Sequence, residues 1–159
     1  MKRKMRRSDR LMKFEDALHL LTKAEYGVLS SVDEEGQPYG VPVNFVFDGD
    51  KSIYFHSASE GHKLENLNHN PKVSFTILGD VQVMDWKFTT AYESVILFGV
   101  ANLVEGTEKQ HALHRLALKF SLNYMDEFEN EIEQFLKSTK VVKISIEHMS
   151  GKVRPVEEK

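Results

Sequence analysis

From Tyr26 to His56 the hydrophobic period of the chain is two, and the breaks between its apolar runs are only hairpin-long. Tyr26–Val32 reads as a strand, Asp33–Gln37 as a turn containing Gly36, and Pro38–Asp48 as a longer strand. In that strand Val41, Val43, Phe45 and Phe47 alternate with Gly40, Pro42 and Asn44. Asp48-Gly49-Asp50 is a hairpin turn, and Ser52–His56 is the third strand. Strands joined this tightly argue for an antiparallel meander and against a parallel doubly wound sheet. Neither GxGxxG nor GxxxxGK[ST] occurs, so any phosphate site must be built by a barrel loop.

The rest of the chain fits an α+β domain. Phe14–Ala24 is an amphipathic helix with Phe14, Ala17, Leu18 and Leu21 on one face. A short helix spans 62–69. Lys72–Leu78 and Tyr92–Val104 are further strands. Leu113, Leu116, Ala117 and Phe120 line one later helix, and Phe128, Ile132, Phe135 and Leu136 line another. Val141–His148 is the last strand. The expected fold is a small antiparallel barrel with helices packed on it.

Charge divides the chain into an arm and a body. The net charge is −3, yet residues 1–10 carry Lys2, Arg3, Lys4, Arg6, Arg7 and Arg10 against Asp9, or +5, leaving −8 for the remainder. We read 1–12 as a basic arm and 13–159 as one domain, long enough to bury a core. An acidic body is not a nucleic-acid surface. No apolar run approaches the ~20 residues that span a bilayer. The chain has no Cys, which excludes disulfides, thiolate zinc sites and cysteine nucleophiles, and the default compartment is the cytoplasm.

One segment has the makings of an anion site. Ile53–Asn70 runs from a short apolar strand through a polar loop with Ser57, Ala58, Ser59 and Gly61, and it delivers His62 and Lys63 to the first turn of a helix. Loop N–H groups, hydroxyls, a helix N-terminus and a fixed cation converge on phosphate in this way. His56, at the strand end, is the natural proton donor near neutral pH. Pro38 and Pro42 make the second strand an edge or a bulge, leaving backbone groups around Val41, Pro42, Val43 and Asn44 for a flat ring to use. Glu93 and Ser94 interrupt an otherwise apolar strand and need a partner. His111 and His114 have helical i, i+3 spacing but no supporting carboxylate motif, so no metal site is assigned.

Four blocks then fall into a familiar order: Met5–Arg10 (MRRSDR), Asp33–Phe45 (DEEGQPYGVPVNF), Ile53–Asn70, and Tyr92–Gly99 (YESVILFG), with a weaker match at His148–Lys152 (HMSGK). Together they resemble the FMN-binding split-barrel proteins, in the pyridoxamine-phosphate-oxidase-like branch that contains the nitroimidazole-resistance (Nim) proteins. The resemblance implies a six-stranded antiparallel split β-barrel with flanking helices, assembled as a homodimer with FMN at the interface. It implies that the flavin ring lies along Val41, Pro42, Val43 and Asn44, and that His56, Ser57, His62 and Lys63 hold the phosphate. Glu93 and Ser94 would reach in from the other subunit. The oxidase proper carries Arg where His62 stands, and a basic and aromatic C-terminal signature that this chain lacks. Both departures argue against pyridoxamine phosphate as substrate. The function implied is FMN-dependent reduction of a small organic, nitroaromatic-type substrate, with His56 catalytic and a nicotinamide or a reduced flavin as electron donor. A non-catalytic flavin-storage protein and a haem-binding split-barrel relative are the alternatives.

Overall fold

The computed structural model describes residues 5–158; Lys2, Arg3 and Lys4 of the basic arm lie outside them. The strands are β1 (Tyr26–Val32), β2 (Pro38–Asn44), β3 (Val46–Phe47), β4 (Ser52–Ser57), β5 (Lys72–Met84), β6 (Thr89–Val104) and β7 (Lys140–Arg154). The helices are α1 (Phe14–Lys23), α2 (His62–His69), α3 (Gly106–Phe120) and α4 (Met125–Ser138). All strand pairs are antiparallel, in the order β2-β1-β5-β6-β7-β4-β3. The sheet curls until β2 packs beside β4, giving a split barrel with flanking helices.

Two hydrophobic clusters hold the fold. The larger lies inside the curl, where Leu29, Phe45, Phe55, Phe75, Ile77, Val95, Leu97 and Ile144 are fully buried. The apolar stripe of α1 closes it with Ala17, Leu20 and Leu21. Met12 is buried too, and its N–H donates to the Gly151 carbonyl on β7. The second cluster lies on the other face of β4 and β7, where Tyr54 and Val141 meet Ala112, Leu113 and Leu116 of α3. Phe128, Ile132, Phe135 and Leu136 of α4 cover it only in part, and no residue of α4 is fully buried.

The strand count is seven, because the expected Pro38–Asp48 strand breaks at Phe45. Asn44 still pairs with Tyr26 on β1, whereas Val46 pairs with Tyr54 on β4. One continuous run therefore serves both ends of the curled sheet. The break is held by Lys119, whose ammonium donates to the Ala24 carbonyl and, at 3.0 Å, to the Phe45 carbonyl. It also lies 4.7 Å from the centre of the Phe45 ring. Burial lowers the pKa of this lysine, and Glu25 opposes that in part.

Three strands outrun their sequence limits for a common reason: polar residues are carried by the ladder of a neighbour. β5 continues past Leu78 through a bulge to Met84, and β6 starts at Thr89 instead of Tyr92. Gly79 and Asp80 form that bulge. A Cβ at Gly79 would stand 2.9 Å from the Glu93 Cβ and 3.1 Å from a Leu20 methyl, which favours glycine there. β7 runs past His148 to Arg154 because Met149 to Arg154 pair with β6. The β5–β6 hairpin ends in a short turn, Asp85–Lys87, followed by Phe88 in the left-handed region (φ 50°). The Phe88 ring is 98% exposed. Lys87 and Arg154 both pair with Glu157, tying the hairpin tip to the C-terminal segment. Among the described residues no helix is long and apolar enough to cross a membrane.

Candidate functional site

Alternation along β4 sorts its side chains. Ile53 and Phe55 point into the main core, while Tyr54 and His56 face α3 and α4. His56 thereby reaches a cavity of about 490 Å³ between the sheet and the two helices. Asn44, the last residue of β2, lines the same cavity, and its amide donates to the Glu25 carbonyl at 3.1 Å. The helical wall is Leu113, Leu116 and Phe120 on α3 with Phe128 and Phe135 on α4. Desolvation lowers the pKa of His56, and the positive charge of nearby Lys63 lowers it further. His56 is therefore neutral at pH 7, offering one N–H donor and one lone pair.

The loop after β4 leads to α2. Gly61 is its N-cap, at φ 133°, with no side-chain cap and open space where a Cβ would be. The N–H groups of the first turn are thus presented without a capping side chain, beside Lys63. His62 stacks on Tyr39 of β2, ring centres 4.2 Å apart. On the other side of α2, Asn66 donates to the Ser31 hydroxyl at 3.1 Å, a buried bond that fixes the helix on β1. The anion-type loop is therefore braced from both sides.

The structure brings most of the sequence-derived residues together. His56 and Asn44 share a cavity, Lys63 lies close enough to His56 to shift it, and His62 joins β2 through Tyr39. β2 is the terminal strand of the sheet, so one edge of Val41, Pro42 and Val43 has no ladder partner. Val41 and Val43 pack toward the main core and Pro42 is exposed, so a ring lying here would meet backbone and Pro42 before valine side chains. Ser57 alternates away from His56. Its hydroxyl is buried and lacks a hydrogen-bond partner among the described residues. Glu93 and Ser94 are half-buried on β6 opposite Val153 and Lys152, and they do not line the cavity. His114 pairs with Glu129 at 3.2 Å and meets the Phe128 ring edge-on.

Sequence reasoning missed Tyr39 and the aromatic wall. Phe120, Phe128 and Phe135 read as ordinary core stripes. Nothing in the stripes, which carry as many Leu as Phe, distinguishes a cavity wall from ordinary core.

The family model for pyridoxamine 5'-phosphate oxidase matches residues 14–153. The chain belongs to this family. Three solved structures show how the fold recurs. One, from Bacteroides thetaiotaomicron, is provisionally assigned to 5-nitroimidazole antibiotic resistance. It is 25% identical, with 91% of this chain and 86% of that one covered and a TM-score of 0.74. A conserved hypothetical protein of Mycobacterium tuberculosis is 21% identical over 98% of this chain and 97% of its own, with a TM-score of 0.79. The FAD and heme binding protein of Mycobacterium smegmatis is 18% identical, with coverages of 92% and 74% and the same TM-score of 0.79. No curated protein matches the chain.

Proposed function

We propose that the protein is a homodimeric flavoprotein oxidoreductase that holds FMN and reduces a small organic substrate beside His56. The observation that carries this reading is the meeting of three features. An uncapped, glycine-led helix start carrying His62 and Lys63 lies next to His56, which opens on a cavity, and the free edge of β2 runs alongside. A phosphate suits the first, a substrate the second and a flat ring the third. The buried, partnerless Ser57 hydroxyl and the open space at Gly61 also fit a group that completes the loop when bound. One terminal phosphate is what this single loop can hold, which favours FMN over FAD.

The flavin, when bound, supplies hydride chemistry; the protein supplies placement and charge. Lys63 and the α2 N–H groups anchor the phosphate, and the β2 backbone orients the ring. Neutral His56 would donate a hydrogen bond to the substrate's polar group and orient it, while the proton that accompanies the hydride would come from water. A nicotinamide or another reduced flavin would supply the electrons, and the cytoplasm is the compartment we propose. The Bacteroides relative motivates nitroaromatics as first test substrates. Dimerisation is supported by the outer face of the sheet, where Val28, Ile96, Phe98 and Leu78 remain exposed, with Glu93 and Ser94 available to a second copy.

The deciding experiment is denaturing release of the bound small molecule, with identification by mass. FMN at one per chain is expected. Stoichiometric FAD would defeat the single-phosphate argument, and a Soret band in place of a flavin spectrum would return the haem reading. Sedimentation checks the assembly: a monomer that still binds FMN tightly would overturn the dimer.

A further inference from the structure

The cavity beside His56 has a charge pattern of its own. No Lys or Arg lines it. Its formal charges are Glu127 and Glu131, one turn apart on α4, and neither has an ion-pair or hydrogen-bond partner among the described residues. Glu129, between them, is engaged with His114. Lys119 of α3, whose ammonium lies 5.4 Å from the centre of the Phe120 ring, does not itself line the cavity and is engaged by the Ala24 and Phe45 carbonyls. The walls are aliphatic and aromatic, with Phe128 and Phe135 stacked at 5.7 Å. The volume of about 490 Å³ falls in the range of small-molecule sites, roughly 300–1,000 Å³.

We propose that this cavity takes a flat aromatic molecule bearing a positive charge, as a protonated amine or ring nitrogen, and turns away phosphorylated or carboxylated ones. The argument rests on the oxidoreductase reading above and specifies its substrate. Ring faces bury apolar area and attract cations. Two carboxylates a turn apart give that cation a counter-charge. A phosphate brought here would lose water while facing two carboxylates, with no Lys or Arg among the lining residues to receive it. The site is thus polarised: Lys63 and the α2 start serve an anion at one side of His56, and α4 serves a cation at the other. Membership of the pyridoxamine 5'-phosphate oxidase family would suggest a phosphorylated substrate, and the cavity lining opposes it.

The test uses the full-length protein and two matched pairs of probes. Pyridoxamine is compared with pyridoxamine 5'-phosphate, and naphthylmethylamine with naphthoate, by calorimetric titration at low salt. The cationic member of each pair should bind roughly five- to tenfold tighter, a modest factor because both carboxylates are exposed. The preference should fade at about 1 M salt. Glu127→Gln with Glu131→Gln should bring the ratio close to one. Phe128→Ala should weaken both members equally, with far-ultraviolet circular dichroism confirming the fold. Equal or tighter binding of the anions, or an unchanged ratio in the double glutamine variant, would overturn the proposal. Flavin content, measured on the same samples, separates the two readings. Flavin present without the charge preference defeats this inference alone, whereas the preference without flavin defeats the oxidoreductase reading and leaves the cavity's selectivity standing.

Discussion

The two hydrophobic clusters use the same kinds of side chain and are filled to different degrees. In the curl of the sheet, Phe45 and Phe75 meet edge-to-face at 5.0 Å, and α1 seals the space. Under α3 and α4, Phe128 and Phe135 stack at a similar 5.7 Å, yet α4 stays half-exposed and a cavity remains beneath it. The first cluster is enclosed by strands on several sides, so its packing is settled by the sheet. The second is a helical pair laid against one face of β4 and β7, and His56 stands where the cover is incomplete. The filled region sets the shape, and the underfilled region is left free for chemistry.

The largest effect that could break this contrast is Phe75→Ala. Phe75 is 0% exposed, and truncation should cost about 3–5 kcal/mol of unfolding free energy in urea. Phe135→Ala, in the half-covered cluster, should cost about 1 kcal/mol, well below the usual core range because its site is already partly wet. Equal losses would mean that the two clusters are packed alike.

Next in size is Lys63→Ala. A charge-assisted hydrogen bond to phosphate is worth roughly 1.5–3 kcal/mol, so flavin affinity should fall about 10- to 150-fold. Apo-protein stability should hold or rise slightly, since a cation in the first turn opposes the helix dipole. Unchanged affinity would make Lys63 an ordinary surface lysine. Ser31→Ala should cost about 1–3 kcal/mol by stranding the Asn66 amide, which is 2% exposed. It should also weaken flavin binding, because α2 loses its brace. Wild-type stability and affinity in that variant would show that the loop is held by its strand and Tyr39 alone.

How far the sequence was legible follows the same division. The strands inside the curl could be read because alternation at Val41, Val43 and Phe45 and the hairpin turns are local signals. The loop residues His56, His62 and Lys63 could be read because glycine, hydroxyls and a helix start are contiguous. The break at Phe45 could not be read, since the strand changes partner there, from β1 to β4, and Lys119, which reaches back to two carbonyls at the break, lies far along the chain. The same holds for Tyr39 on His62 and for the helical wall. The strand limits at Leu78 and His148 fall short because the pairing of the polar ends of β5 and β7 is supplied by β6.

The smallest expected effect is a pH dependence. The folded-state pKa of His56 lies below its ordinary 6.5, first through desolvation and then through Lys63. The unfolded chain therefore takes up the proton first. The contribution is neutral above the unfolded value and destabilising as pH falls below it toward the folded value. His56→Gln should flatten the stability profile slightly below about pH 6.5 relative to wild type. Parallel profiles for the two proteins would show that the imidazole is better solvated than its neighbours suggest.

The place of β7 in the sheet bears on how the chain is made. It lies between β6 and β4, so the half formed by β2, β1, β5 and β6 is joined through ladder bonds to the half formed by β4 and β3 only by residues 140–154. During synthesis those residues emerge from the ribosome after everything else in the barrel. Until they do, one edge of β6 and one edge of β4 stand open, the kind of exposed edge that recruits other chains. Closure of the sheet is thereby made to wait for residues 140–154 to emerge, and the nascent barrel is most exposed to aggregation in the interval before they do.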